Sequence, residues 1–439
     1  MLSAGYSLRM RNIVAIATTL LAWLTPWQDV HASALHLQRP PSASDPAWLK
    51  ACSFRHPLCV HAGPAATPET ILAALSDADR TWDTAVGPLA LPPPDPSPVT
   101  QTYDVYLVEH AASDTVTVLD ERDPLARFDR ANAFTLIDAR LTGCTRTQAV
   151  ARGLLRAITY RVTPGIDPGS AEAQTGYFAH LIAPCASAES AARATFQAHP
   201  ERAIADAWPE FDPVIGVEYA RGASFFYDWM DDSFGQEPGS IVRALWALSP
   251  SITAGPATWQ NEPDTFDVLR TSFKNALSSG GALDDLFLGF AAARAIPSSG
   301  DAGAGDLGFA VRADWQIDWP SKPRRLAPRD PTAPTGSAYV AIRHREVPSG
   351  ARLRVEATWE EHARMRWMVV KLDRAGRELA RIPVAASDRA TEAQGSIVDL
   401  DGVDTLVVVG MNAGDFPAPF DPDDAVWEPH GWRLTLASE

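Results

Sequence analysis

Hydrophobic and polar positions alternate with different periods along this chain. From Pro68 to Val86 apolar side chains recur at helical spacing, with Ile71, Leu75, Ala78, Trp82 and Ala85 on one face. Tyr103–Val108 and 134–138 are rich in β-branched and aromatic residues, are bounded by turn formers, and read as strands. From Thr147 to about Ile296 the period turns helical, predicting helices over 148–161, 171–182, 187–197, 215–232, 241–248, 265–277 and 283–294. Pro238-Gly239 and Gly280-Gly281 punctuate them. After Pro297 short alternating segments take over, at 338–344, 352–359, 367–372, 379–384, 396–400, 405–410 and 431–436. Short strands at regular spacing with turns between them predict an antiparallel sandwich. The expected fold is therefore α+β: a mixed body over 35–297 with a mainly helical second half, then an antiparallel β-sandwich over 335–439. The stretch 298–334, with its proline-rich run 319–334, reads as a linker or a long edge connection.

The first residues stand apart. Residues 1–12 carry Arg9 and Arg11 and no acid, 13–24 are uncharged and mostly apolar, and Ala32-Ser33-Ala34 is a small-residue site. That order reads as a signal peptide over 1–34 cleaved near Ala34, since the apolar run is too short to span a bilayer comfortably. The mature chain is expected to be secreted or periplasmic, without a membrane span. Export gives the cysteines a meaning: Cys52, Cys59, Cys144 and Cys185 are expected in two disulfides. Three connectivities are open; Cys52 and Cys59 share one short loop, which leaves Cys144 with Cys185. A zinc site from these four is disfavoured because no CxxC pair is present.

Composition narrows the classes. Apolar residues make up 46% of the 439, too many for a disordered chain, and the length allows two or three cores. With 38 Lys+Arg against 54 Asp+Glu, the formal charge of −16 argues against a nucleic-acid partner.

The order of signals in the body carries a resemblance. A helix with Trp82 leads through Leu91-Pro92-Pro93-Pro94-Asp95 into the strand Tyr103-Asp104-Val105-Tyr106, and a second strand ends in Asp138. The next helix reads Val150-Ala151-Arg152-Gly153-Leu154-Leu155-Arg156-Ala157-Ile158-Thr159-Tyr160. Over roughly 55–296 this resembles secreted bacterial zincin-like metalloproteases of the gluzincin type, whose corresponding helix carries His-Glu-x-x-His. In such enzymes two imidazoles at i and i+4 reach one zinc ion and the intervening Glu polarises its water. The matching positions here are Arg152, Gly153 and Arg156. The resemblance also places the family's third ligand, a Glu on the following helix, at Glu172 in Glu172-Ala173-Gln174-Thr175-Gly176-Tyr177-Phe178. Arginine has no lone pair for a metal, glycine supplies no base, and one carboxylate does not hold a catalytic zinc. The resemblance therefore implies a degenerate site with no metal, no cofactor and no protease chemistry.

Other chemistry has little support. The ten His residues include no HxH or HxxxH; His56, His61, His180 and His362 are expected to be ordinary surface or hydrogen-bonded histidines. Gly222-Ala223-Ser224 lacks the trailing glycine of a GxSxG elbow. Asp231-Asp232, with Asp228 nearby, reads as a solvated helix end, although an acidic chain always contains candidate carboxylate pairs. The aromatic stretch 223–230 is expected to be a core helix, with a ligand-stacking wall as the alternative. Trp315, Trp319, Trp359, Trp367, Trp427 and Trp432 are expected in the sandwich core, with sugar stacking as the alternative, and Asp421-Pro422-Asp423-Asp424 is a weak Ca²⁺ candidate.

Arg152 and Arg156, with Arg146 and Arg161, form a basic set on one helix of an acidic protein. They either pair with acids such as Glu172 or Asp138, or make an anion-binding cleft, since guanidiniums grip carboxylates and phosphates through paired hydrogen bonds. The expected function is exported, non-catalytic binding of an extracellular or envelope ligand, a peptide or glycan. The alternative is an active secreted hydrolase or atypical metallopeptidase with unrecognised catalytic residues.

Overall fold

The computed structural model describes residues 39–40, 47–64, 66–109, 114–122, 127–206, 213–250, 263–276, 282–296, 311–344, 347, 350–386, 391–414 and 428–439. The expected signal peptide, Gly280-Gly281, Trp427 and the acidic loop 421–424 lie outside these residues.

The body is built on a five-stranded sheet. Strands β1 (Leu49–Cys52) and β2 (Leu58–Ala62) form an antiparallel hairpin closed by the Cys52–Cys59 disulfide. Helix α1 (Pro68–Val86) starts on Thr67, whose hydroxyl accepts from the Thr70 N–H, and buries the stripe from Ile71 to Ala85 against the sheet. The chain returns as β3 (Tyr103–Val108), parallel to β2, then as β4 (Thr115–Arg122) and β5 (Ala131–Asp138). The order is β1-β2-β3-β5-β4: a parallel centre flanked by two antiparallel edges.

Helices complete the body: α2 (Gly143–Val162), α3 (Pro168–Ile182), α4 (Ala186–Ala198), α5 (Pro213–Gly222), α6 (Ser224–Phe234), α7 (Ser240–Leu248), α8 (Thr265–Ala276) and α9 (Ala282–Arg294). The Cys144–Cys185 disulfide ties the first turn of α2 to the residue preceding α4. The single helix expected over 215–232 is two, separated at Ala223. Gly222 sits where α5 meets α4 so closely that a Cβ would lie 2.2 Å from the Ala192 carbonyl oxygen.

After the body, nine strands hydrogen-bond in one continuous run, β6-β8-β13-β10-β11-β12-β9-β14-β7. They are β6 (Trp315–Asp318), β7 (Arg324–Leu326), β8 (Ser337–Arg343), β9 (Leu353–Trp359), β10 (Met365–Leu372), β11 (Glu378–Ala386), β12 (Glu392–Ile397), β13 (Thr405–Asn412) and β14 (Trp432–Ser438). This corrects two expectations. The described part of 298–334 supplies the sheet's two terminal strands, β6 just ahead of the proline-rich run and β7 within it, so its edge alternative replaces the linker one, and β6 runs parallel to β8, so the domain is not wholly antiparallel. Val340, Val369 and Val408 from one half share a core with Leu353, Val355, Leu434 and Leu436 from the other, so the sheet curls over itself, nearly as a barrel.

The outward residues of β10 and β13, among them Val370, Val407, Val409 and Met411, belong to the core of the body and pack beneath α9. Arg294 at the end of α9 is 1% exposed and donates to the Gln197 side chain (3.0 Å) and the Phe196 carbonyl (2.8 Å), while the Tyr339 hydroxyl donates to Ala291 O (2.9 Å). No helix among the described residues is long and apolar enough to cross a membrane.

One helix start titrates. Asp264 accepts from the N–H groups of Phe266 and Asp267 at the head of α8, while burial, and then the Asp167 charge, raise its carboxyl to about 8. A raised carboxyl stabilises the fold in its protonated form. That contribution is complete below the unfolded value of about 4 and lost as pH rises through 8. Asp264→Asn keeps a cap acceptor without the charge. It is expected to melt several degrees above wild type at pH 9 and near it at pH 4.5, read by circular dichroism.

Candidate functional site

Helix α2 carries the residues that the resemblance singled out, and its two sides have different fates. On the sheet side, Gly153 lies directly over β5: a Cβ there would stand 2.4 Å from Thr135 Cγ2. Beneath it runs a chain of hydroxyls. Thr117 donates to the Gly153 carbonyl (3.2 Å), which commits its only proton; Thr135 must then donate to Thr117 (2.8 Å), and Tyr103 to Thr135 (2.6 Å). No glutamate could occupy position 153 with this helix so close to the sheet.

On the other side, Gln148, Arg152, Arg156 and Tyr160 follow one another at i, i+4 spacing. Arg152 is 6% exposed; it donates to Gln148 Oε1 (2.9 Å) and forms an ion pair with Asp114, the residue before β4. Asp114 also accepts from Arg221 of α5 (2.8 Å), so one carboxylate bridges two guanidiniums. Arg221 faces Glu218 (3.2 Å) and Glu172 (3.6 Å) as well. Burial, reinforced by the Arg221 charge, pulls the Arg152 guanidinium below the usual arginine range, against the pull of Asp114, Glu172 and Glu218. Burial pushes the Glu218 carboxyl up. Gln148 continues the network to Glu189 (2.6 Å), which also accepts from His180 (2.8 Å). The space between Arg152, Arg193, Arg221 and His180 measures about 20 Å³, room for about one water molecule.

The expected partners of the basic helix are thus corrected. Arg152 is held by Asp114 rather than by Glu172 or Asp138, Glu172 turns to Arg221, and Asp138 pairs with Arg140. Arg146 binds Asp77 (2.9 Å) and Arg161 lies 3.4 Å from Asp95. Arg156 has no ion pair among the described residues; its guanidinium lies 4.9 Å from the Tyr160 ring centre. The structure therefore gathers Arg152, Gly153, Arg156 and Glu172 in one region. It adds Asp114, Glu218 and Arg221, which sequence reasoning missed because Asp114 stands before an unrecognised strand and Arg221 belongs to no motif. These groups do not fit zinc: a guanidinium has no lone pair to give a metal, and Glu172 is turned toward the Arg221 cation.

Other candidates resolve into structural roles. His56 bonds Asp83 (2.8 Å) and stacks on Trp82; His61 bonds Asp104 (3.1 Å). Burial opposes ionisation of Asp104, but His61, Thr100 and Thr102 together hold its carboxyl at about 2. His362 is exposed in a turn. Asp231, expected in a solvated helix end, is buried instead, accepting from the Tyr177 hydroxyl (2.6 Å) and the N–H groups of Gly239 (2.7 Å) and Ile241 (2.9 Å), where it anchors α7. Asp228 pairs with Arg193 (2.9 Å). Phe226, Tyr227 and Met230 are core, as are Trp367 and Trp432; Trp315, Trp319 and Trp359 are half-buried against the second core. A wider groove of about 510 Å³ lies elsewhere, between α1 and the Cys144 end of α2, walled by the charges of Asp77, Arg80 and Asp83.

No family model matches the sequence, and no curated protein matches it. Among solved structures, the pre-peptidase C-terminal domain of a collagenase from Bacillus anthracis is 6% identical, covering 29% of this chain and 97% of its own, at a TM-score of 0.18. PliG, a periplasmic inhibitor of g-type lysozyme from Aeromonas hydrophila, is 10% identical, covering 29% and 100%, also at 0.18. Likenesses this slight carry no inference about the chain.

Two measurements probe this geometry. Gly153→Ala is expected to cost about 1–3 kcal/mol in urea unfolding through overpacking, with part recovered in a Thr135→Ser background that removes the clashing methyl. Asp114→Asn leaves two guanidiniums short of a charge. Because Asp114 is 28% exposed, the loss is expected near ~2 kcal/mol, below that of a fully buried pair.

Proposed function

We propose that this is an exported, non-catalytic protein with a zincin-like body, a pseudo-protease whose former active-site region engages a peptide or other extracellular or envelope ligand. One observation carries the reading: Arg152, Gly153 and Arg156 stand where the resemblance requires two imidazoles and a general base, and their surroundings suit the residues present. Arg152 is bound to Asp114 and Gln148, and Gly153 is pressed on Thr135. Two disulfides fit an oxidising compartment outside the cytosol. A half-buried cluster of guanidiniums and carboxylates costs stability through desolvation, which fits a retained recognition surface.

The test is direct. Mature protein, purified without chelator and dialysed, is assayed for bound zinc and for cleavage of unfolded protein substrates with and without EDTA. Zinc far below one ion per chain and no EDTA-sensitive cleavage are expected. Stoichiometric zinc with chelator-sensitive proteolysis overturns the reading, and EDTA-resistant cleavage that survives repurification favours a hydrolase using other residues.

A further inference from the structure

Three guanidiniums and three carboxylates meet around the α2 strip, yet they are not matched one to one. Asp114 is shared by Arg152 and Arg221, and both Glu172 and Glu218 turn to Arg221. Arg156 is left over. Of the four arginines on α2, Arg146, Arg152 and Arg161 each have a carboxylate within ion-pair distance, while Arg156 has none among the described residues. Its Nη1 is shielded from solvent without a hydrogen-bond partner, although the residue as a whole is only half-buried. Burial opposes its charge, while Tyr160, by its charge and a side-chain hydrogen bond, and Glu172 and Asp167 favour it; neither carboxylate lies within ion-pair distance. A fixed guanidinium with open donors is the group that takes a carboxylate through two parallel hydrogen bonds.

Resting on the ligand-binding reading above, we propose that Arg156, backed by the Tyr160 ring, is a carboxylate-recognition subsite for an acidic peptide. The guanidinium already covers the Tyr160 ring at 4.9 Å, so the aromatic platform on which a sugar would stack is occupied. A peptide carboxylate needs only the guanidinium edge. Arg152 takes no part, because Asp114 holds the place that a ligand's carboxylate would fill.

The full mature protein, with ¹⁵N-labelled arginine, is titrated with four probes while the arginine Nε–H resonances are followed. N-acetyl-glutamate α-amide offers a side-chain carboxylate, N-acetyl-glutamine a terminal one, glucuronate a sugar acid, and N-acetyl-glutamine amide no charge. Saturable shifts are expected with one or both peptide-like carboxylates, which identifies the source, and none with the neutral probe. Arg156→Gln is expected to weaken binding about tenfold or more, the loss of roughly 1.4 kcal/mol. Arg156→Lys should weaken it less, and the distant Arg324→Gln not at all. If Arg156→Gln does not fold, the Lys variant decides, since an unchanged affinity there sinks the idea. Absence of saturable shifts, equal affinity in Arg156→Gln, or a response to glucuronate alone also overturns it. A zinc-free, inactive protein that ignores both carboxylates keeps the pseudo-protease reading and loses this one; a chelator-sensitive protease loses that reading first.

Discussion

Helix α2 lies against strand β5 at Gly153 with only the Thr135 side chain between them, and this contact sets the orientation of everything on the helix. Because Thr135 fills the space a Cβ would take, the helix can neither rotate nor lift without opening a gap or a clash in the core. The hydroxyl chain Tyr103–Thr135–Thr117 then locks the Gly153 carbonyl from below. With one face fixed, the strip Gln148, Arg152, Arg156 and Tyr160 must point toward α3, α4 and α5. The charged cluster follows from that rotation.

What the cluster can do follows from charge pairing. Arg152 and Arg221 are nearly buried and approach each other, an arrangement that repulsion would forbid without Asp114 between them. Asp114 comes from the start of an edge strand and Arg221 from α5, so the cluster also ties sheet and helices together. Gln148, Glu189 and His180 extend the same network to the Cys185 end of α4, whose backbone N–H also donates to Glu189 (2.9 Å).

The C-terminal sheet is no appendage. β10 and β13 are buried on both faces, one turned to the sheet's own core and the other to α9 and the body. Arg294, donating to Gln197 and the Phe196 carbonyl and lying over the Phe196 ring, seals that junction with no ion pair among the described residues. The body and these strands therefore share one packed core.

The sequence by itself determined the elements whose signal is local. The α1 stripe, the helical run from Thr147, the strands of the C-terminal sheet and the separate pairing of Cys52 with Cys59 were legible because periodicity and short loops act between near neighbours. It also determined the chemistry of positions 152, 153 and 156, since side-chain type alone decides what can ligate a metal. Only the tertiary structure decided partners. The edge strand β4, the short exposed β1, and the short β6 and β7 at the ends of the C-terminal sheet are settled by the strand each pairs with, because an edge satisfies only one side and a stretch of three or four residues carries little pattern. Asp114, Arg221 and the bared Arg156 could not be read from the chain, for a charge finds its counter-charge through packing in space and not through distance along the sequence.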